Sequence, residues 1–210
     1  MDIEIYKAGY RWGMLAFLAT ASFVIVQILQ VFGIIAYPWD EILIYGTSLC
    51  IVIPFLLEML ALHYHSPVQK KYWSHASLIF SILYAVFVTA NYVVQLATVI
   101  PMTLNGRSEE IRLLIQTPHS LFWDFDAIGY ICMGLAMAFA LPVFEKNGFE
   151  NRVRLIFLIN ALVTPLIAIV YFYPTYSNPL LLLGFPWGIT APLAMLSLGL
   201  LFRKYYQSRS

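Results

Sequence analysis

The sequence predicts an all-α polytopic membrane protein, in which one transmembrane domain forms a six-transmembrane-helix bundle with both termini cytoplasmic. Three observations predict it: 61% of the 210 residues are hydrophobic, only 11% are charged, and the apolar residues gather in six long segments. About a quarter of the residues in a soluble domain are charged. The much lower fraction in this chain predicts that it lies in the lipid bilayer. The net charge of +1 gives no reason to expect nucleic acid as a partner.

Each apolar segment has about the 20 residues that an α-helix needs to cross the hydrocarbon core. Span 3 is expected to end at Pro101, and span 4 to open with Thr117 as the helix N-cap and Pro118 in the first helical position. The predicted spans are 12–36, 42–64, 74–100, 118–144, 153–173 and 180–202.

The basic residues predict the orientation. Ten of the twelve Lys and Arg residues lie before span 1, between spans 2 and 3, between spans 4 and 5, or after span 6. Only Arg107 and Arg112 lie on the other side, in the loop between spans 3 and 4. Because basic loops stay in the cytoplasm, both termini are predicted to be cytoplasmic. The same loop alternates charged and apolar residues up to Ile115, which is typical of a short interfacial helix. It acts either as a lid over an outward-facing pocket or as a connector resting on the headgroups.

Span 3 carries its polar residues on one stripe, because they follow each other at intervals of three and four. The stripe consists of Ser77, Ser81, Tyr84, Val88, Asn91, Gln95 and Thr98. The rest of the span is apolar and suits lipid. The stripe must therefore face other helices or a cavity.

Three spans bring amides and carboxyl groups to one level, roughly 9 to 16 Å below the predicted outer surface. Span 4 has His119, Asp126 and Tyr130 on one stripe, which we expect to face Asn91 and Gln95 across an outward-facing pocket. Asp124 points about 200° away from Asp126 on a helix, so it is expected in a helix contact with Gln27 or Gln30 of span 1. The candidate ligand-binding residues are Asn91, Gln95, His119, Asp126, Tyr130, Asp124, Gln27 and Gln30.

A second polar layer is predicted in the inner half, where Glu58 of span 2 and Asn160 of span 5 reach a similar level. Glu58 is expected to pair with Asn160, a nearby histidine or a lysine. His63, His65 and His75 lie close in sequence, but no H-x-x-x-H or C-x-x-C motif accompanies them, so no metal site is predicted. No motif indicates a cofactor. Cys50 and Cys132 lie in apolar runs and are expected to be small buried hydrophobes.

Several segments resemble a group of prokaryotic six-span membrane proteins that has no assigned activity. The resemblance rests on Ala61-Leu62-His63-Tyr64, Lys70-Lys71-Tyr72-Trp73-Ser74-His75, Asn91-Tyr92-Val93-Val94-Gln95, Pro118-His119-Ser120-Leu121-Phe122-Trp123, Leu141-Pro142-Val143-Phe144 and Trp187-Gly188-Ile189-Thr190-Ala191-Pro192. It covers most of the chain and implies six spans without implying an activity.

Three functions are compatible with a carboxyl group inside the membrane, which is a functional hypothesis by default. The first is binding of a small ligand, with transport or sensing as its purpose, in the outward-facing pocket between spans 3 and 4. The second is an intramembrane enzyme that uses Asp126 as acid or base on a lipid-like substrate. The third is a non-catalytic structural or partner subunit whose polar layer fixes the fold. Assembly with a second copy or with a partner membrane subunit stays open at this point.

Overall fold

The structure is a computed structural model that describes residues 2–209. Within that range all regular elements are helical, and six helices are long and apolar enough to span a membrane. The fold class and the number of spans predicted from hydropathy are therefore confirmed for the described chain. The helices are α1 (Asp2–Val31), α2 (Trp39–His65), α3 (Lys71–Val94), α4 (Ile100–Leu104), α5 (Leu121–Ala140), α6 (Gly148–Phe172), α7 (Asn178–Leu181) and α8 (Phe185–Gln207).

The six spans form a closed ring. Helix α1 packs on α2, α2 on α3, α3 on α5, α5 on α6, α6 on α8, and α8 returns to α1. The inside of the ring is filled by fully buried side chains such as Phe55, Met133, Phe157, Met195 and Phe202. Since every span touches chiefly its two neighbours, a site can be assigned to a particular pair of helices.

The two ends of the bundle differ in their connections. At the end that carries both termini, which we call the terminal face, the ring of Tyr6 lies 5.4 Å from His65 and 5.5 Å from Tyr205. Also at this face, Lys70 forms an ion pair of 2.5 Å with Glu145. The opposite end, which we call the far face, carries the loops 32–38, 105–120 and 173–184. Arg107 and Arg112 belong to the far face.

Helix α1 departs from the predicted span at both ends. It begins ten residues earlier than position 12 and ends at Val31 instead of residue 36. The early turns carry charged residues that favour helix, and Lys7 pairs with Glu4 at 3.0 Å. At the other end, Gly33 has a φ of +66°, a left-handed conformation typical of the residue after a helix.

The third span does not end at Pro101. A π-helical turn, Gln95–Val99, follows α3 and leads into α4, so the span continues to Leu104. Proline lacks an N–H and its ring crowds the carbonyl one turn earlier, and a wider turn relieves both problems. The extra residue also shifts the buried face, because Val99 is 3% exposed whereas Thr98 is only half-buried. Thr98 therefore leaves the predicted stripe.

Helix α5 begins later than predicted, so Thr117 is not its cap. Ser120 is the N-cap, and its hydroxyl oxygen accepts a hydrogen bond from the backbone N–H of Trp123 at 3.2 Å. The residue before it, His119, has a φ of +65°, which no α-helix can contain. The first turn predicted for this span is therefore loop.

The loop segment predicted as a short interfacial helix is helical only in part, since residues 112–115 form turns and a bend. A single 3-10 turn, Ser108–Ile111, follows Gly106, and Arg107 pairs with Glu110 at 2.7 Å. The hydrogen bond from Arg107 holds the pKa of the exposed Glu110 below its ordinary value. The chain then turns inward and runs across the far end of α3 and α5.

The orientation predicted from the basic residues can be measured by cysteine labelling in intact cells. In a Cys50→Ser background, Leu113→Cys is expected to react with a membrane-impermeant maleimide, because Leu113 is 81% exposed in the far-face loop. Asn147→Cys, an exposed position on the terminal face, is the matched control and is expected to react only after permeabilisation. Labelling in the reverse order would show that the termini lie outside.

Candidate functional site

Asp126 on α5 lies at the centre of a buried hydrogen-bond network and is 5% exposed. Its Oδ1 accepts a hydrogen bond from the hydroxyl of Tyr92 on α3 at 2.5 Å. Its Oδ2 accepts one from the hydroxyl of Tyr171 on α6 at 2.5 Å and one from Nε2 of Gln116 at 3.2 Å. A single carboxyl group therefore joins three spans and the far-face loop.

The polar stripe of α3 holds the same loop. Nδ2 of Asn91 donates to Oε1 of Gln116 at 3.0 Å. Gln95 binds the loop backbone with its side-chain amide, since its Nε2 donates to the carbonyl of Leu114 at 2.8 Å and its Oε1 accepts from the N–H of Gln116 at 3.3 Å. Asn91 and Gln95 are 0% and 1% exposed. The predicted approach of the Asn91–Gln95 stripe to Asp126 is thus present, but it runs through Gln116 and not across an open pocket.

Three further tyrosines surround this network. The ring of Tyr45 on α2 lies 5.3 Å from Tyr92, and the ring of Tyr130 on α5 lies 6.2 Å from Tyr171. Tyr84, one helical turn below Val88 on α3, is 3% exposed. Tyrosine hydroxyls both donate and accept hydrogen bonds, so the shell adds polar groups around a carboxyl group that lies among apolar helices.

Two residues predicted to share the site with Asp126 lie outside it, and these predictions were wrong. His119 is exposed and belongs to the loop, because its positive φ excludes it from the helical stripe. Asp124 is also exposed and makes no helix contact with Gln27 or Gln30. It lies in the first turn of α5, where a negative side chain interacts favourably with the helix dipole.

Gln27 and Gln30 lie on the other side of the ring, so their predicted place beside Asp124 was wrong. Nε2 of Gln27 donates to Oε1 of Gln30 at 3.2 Å, and Nε2 of Gln30 donates to Oδ2 of Asp40 at 3.2 Å. The first contact lies within α1, and the second follows from the packing of α1 on α2. Equal depth along the membrane normal did not bring these amides to α5, because α1 and α5 are not neighbours.

The inner layer also divides into two separate places. Glu58 is 1% exposed and lies against the glycines of the α1–α8 contact, where a Cβ on Gly13 would come within 2.4 Å of its Oε1. Neither carboxyl oxygen has a hydrogen-bond partner among the described residues. Asn160 does not pair with Glu58 as predicted: its Oδ1 accepts from the hydroxyl of Thr190 at 2.6 Å, and its Nδ2 lies 2.8 Å from the sulfur of Met137.

A far-face groove lies between α1, α6 and α8, with a volume of about 560 Å³. Residues 23–32, 167–171 and 181–189 supply most of its wall, and Tyr130 reaches it from α5. None of the residues that line it is charged. Tyr171 belongs both to this wall and to the network, since its hydroxyl donates to Asp126. The predicted pocket between spans 3 and 4 is filled by Gln116, and the open space lies on the other side of Tyr171.

Trp187 on α8 carries the only buried side-chain donor of this wall that lacks an acceptor among the described residues. The indole is 7% exposed, and its ring packs edge-on at 4.9 Å from Tyr130 and 5.8 Å from Phe23. An indole N–H can only donate, and leaving such a group unpaired costs about 1 to 3 kcal/mol.

Metal-binding chemistry finds no support in residues 2–209, where no group of three or more His, Cys, Asp and Glu side chains could hold an ion. On the terminal face, Nδ1 of His63 lies 3.0 Å from the hydroxyl of Ser74, and the rings of His63 and His75 lie 5.5 Å apart. Cys132 is buried, whereas Cys50 is exposed on α2. The prediction that both cysteines are buried was therefore wrong for Cys50.

Sequence reasoning missed four residues of the site: Tyr92, Gln116, Tyr171 and Trp187. Tyr92 follows Asn91 and lies one position off the stripe, yet it is 3% exposed because the stripe is wide enough for two neighbouring residues here. Gln116 was assigned to the loop and received no role. Tyr171 and Trp187 gave no signal of their own, because aromatic residues are common near the ends of membrane spans. A polar residue immediately before the start of a span was the one available signal for Gln116.

Comparisons with family models, with curated proteins and with solved structures find no match to this chain. The functional argument therefore depends on the geometry of the groove and of the network.

Proposed function

We propose that this membrane protein binds an amphiphile from the bilayer in the far-face groove, with an uncharged hydrogen-bond acceptor, such as a carbonyl oxygen, at the ligand's polar end. The single observation that carries the proposal is an uncharged groove of about 560 Å³ lined by Trp187, whose buried N–H has no partner among the described residues. Ligand sites in proteins commonly enclose about 300 to 1,000 Å³ and combine apolar walls with few polar groups.

The apolar part of the ligand is argued from the lining of the groove. Side chains such as Val24, Ile28, Ile167 and Val170 form its walls, and Phe185 lies at 58% exposure beside it. The groove opens among exposed apolar residues of the far half, so a chain that already lies in the bilayer reaches it without crossing water. Burial of such a chain contributes about 0.8 kcal/mol per CH₂ when it leaves water, and much less when it leaves lipid. Selectivity must therefore come from the polar end.

The polar end is argued from Trp187, Tyr130 and Tyr171. An acceptor atom that meets the indole N–H would remove the cost of an unpaired buried donor. The lining supplies no charged side chain to neutralise an ionic headgroup, and an unpaired charge in an apolar site is strongly unfavourable. A neutral acceptor fits both conditions.

Asp126 supports the wall of the groove and does not belong to it. Its two oxygens are engaged by Tyr92, Tyr171 and Gln116, and it is absent from the groove lining. A general acid or base must come within hydrogen-bond reach of the reacting atom. This placement favours a binding function over the use of Asp126 as an acid or base, and it gives Asp126 the role of fixing the Tyr171 hydroxyl.

The proposal can be tested by native mass spectrometry of protein purified in mild detergent. Wild-type protein is expected to retain one amphiphile, and Gly188→Leu is expected to lose it, because Gly188 lines the groove and its Cβ would point towards Val24 at 3.6 Å. Trp187→Phe keeps the ring but removes the N–H, and we expect at least a fivefold loss of retained ligand, corresponding to about 1 kcal/mol.

The matched control is Gly46→Leu on α2, where an added Cβ meets nothing within 4 Å. This variant is expected to retain the ligand at the wild-type level. Equal retention by the wild type, Gly188→Leu and Gly46→Leu would show that bound lipid lies elsewhere on the surface. Wild-type protein that carries no amphiphile at all would also contradict the proposal.

A further inference from the structure

We infer that the polar stripe of α3 and Asp126 of α5 form a second binding site, specific for a peptide segment with a primary amide side chain, and that residues 114–116 of this chain occupy it as an internal stand-in. The inference is independent of the amphiphile groove.

The first step is the hydrogen-bond pattern on the backbone of the loop. Gln95 offers one donor and one acceptor from the same amide, and they bind the carbonyl of Leu114 and the N–H of Gln116 at 2.8 and 3.3 Å. These two groups belong to residues on either side of the bend at Ile115, so a single side-chain amide holds the backbone of this turn. Gln95 therefore recognises peptide backbone and not the identity of the side chains.

The second step is the recognition of the side-chain amide. The oxygen of Gln116 accepts from Asn91 at 3.0 Å, and its nitrogen donates to Asp126 at 3.2 Å. An acceptor beside a donor is the arrangement that distinguishes a primary amide from a carboxylate, which has no N–H to offer. A glutamate in this position would place a second carboxyl group against Asp126.

The third step is an acceptor that the loop leaves unused. Oδ1 of Asn91 is completely buried and has no donor among the described residues. Buried acceptors are paired in most proteins, so one that lies unpaired inside a site needs an explanation. The stand-in thus satisfies only part of the hydrogen-bonding capacity of the site, and a peptide with a further N–H at this point would satisfy more.

The fourth step is the weak attachment of the segment around these contacts. Residues 104–107, 109–110, 112–113 and 117–119 are exposed, and Leu113 is 81% exposed directly beside the bound residues. Ile111, at 3% exposure, is the only fully buried side chain between positions 105 and 119. Segments with few buried contacts open at a low free energy, so the loop can leave the site while the spans remain packed.

The test uses the full-length protein in nanodiscs and the peptide N-acetyl-Leu-Ile-Gln-amide, which copies residues 114–116. In Gln116→Ala, whose own side-chain amide is gone, saturating peptide is expected to raise Tm by about 3 °C or more. Wild-type protein is expected to respond much less, because its own loop competes at a high effective concentration. The peptide with Glu in place of Gln is the matched control and is expected to give no rise in either protein.

Two further experiments distinguish recognition of a free amide from recognition of a peptide, and distinguish this site from the amphiphile groove. Propionamide alone giving the full rise in Gln116→Ala would assign recognition to the amide group, and a requirement for the tripeptide would assign it to peptide. The rise is expected to persist in Gln116→Ala/Trp187→Phe, in which the amphiphile is lost. A failure of the groove proposal would therefore leave this result unchanged.

No rise in Gln116→Ala, or an equal rise with the Glu peptide, would overturn the inference. If Gln116→Ala does not fold, spin labels at Leu113→Cys and Tyr173→Cys in a Cys50→Ser background replace it, since both positions are exposed in far-face loops. Millimolar Gln peptide is then expected to add a population with a longer separation between the labels. An unchanged distance distribution would overturn the inference in the same way.

Discussion

Replacing Asp126 by leucine is expected to lower the free energy of unfolding by about 3 kcal/mol or more. The substitution leaves the hydroxyls of Tyr92 and Tyr171 and the amide of Gln116 without their shared acceptor. Each unpaired buried donor costs about 1 to 3 kcal/mol, although Gln116 can recover part of this by turning to solvent. Unfolding by added sodium dodecyl sulfate in mixed micelles measures the change.

The control for this experiment lies two residues away on the same helix. Asp124 is exposed in the first turn of α5, so Asp124→Leu is expected to remove only a dipole interaction of about 0.3 to 1 kcal/mol. Asp126→Asn keeps one acceptor oxygen and is expected to fall between the two. Equal losses for Asp126→Leu and Asp124→Leu would show that the network does not hold the spans together.

Substituting Gly13 by alanine is expected to cost about 2 to 3 kcal/mol of unfolding free energy. The new Cβ would lie 2.4 Å from Oε1 of Glu58 and 2.6 Å from the backbone Cα of Gly199. A backbone atom cannot turn away as a side chain can, so α1 and α8 must separate. Thermal unfolding in detergent, followed by circular dichroism, measures the loss.

Alanine substitutions at two other glycines show how the loss of stability depends on the space around the added Cβ. A Cβ on Gly199 would lie 3.2 Å from the Cα of Gly13, so Gly199→Ala is expected to cost less than Gly13→Ala. Gly46 on α2 has nothing within 4 Å of an added Cβ, and its replacement by alanine is expected to be neutral or to stabilise by up to about 1 kcal/mol through helix propensity. A loss in Gly46→Ala as large as that in Gly13→Ala would contradict the argument from close helix approach.

Much of the fold followed from hydropathy, because a helix satisfies its own backbone hydrogen bonds and only its side chains must suit the lipid. The buried stripe of α3 was predicted correctly from Ser77 to Gln95 for the same local reason: its period is that of the helix. On α5, Gly134 leaves so little room that a Cβ would lie 1.8 Å from the hydroxyl of Thr164, so α5 and α6 approach closely here.

The candidate site was predictable only in part. Asn91, Gln95 and Asp126 come together because α3 and α5, which follow each other as spans, are neighbours in the ring. Gln116 could not be placed, because a loop has no periodicity from which its direction can be read. His119 was misplaced because its positive φ delays the start of α5, and Asp124 was misplaced because α1 and α5 are not neighbours.

The sequence by itself determined the six spans, their polar stripes and the bias of basic residues that predicts their orientation, since each depends on composition and helical period along one segment. Only the tertiary structure decided that the ring order separates Gln27 and Gln30 from Asp126, that Tyr171 stands between Asp126 and the groove, and that Gln116 fills the space expected to be a pocket. These features depend on which helices are neighbours and on the path of a loop. Such relations between distant segments are set by packing and cannot be read from the period of any one of them.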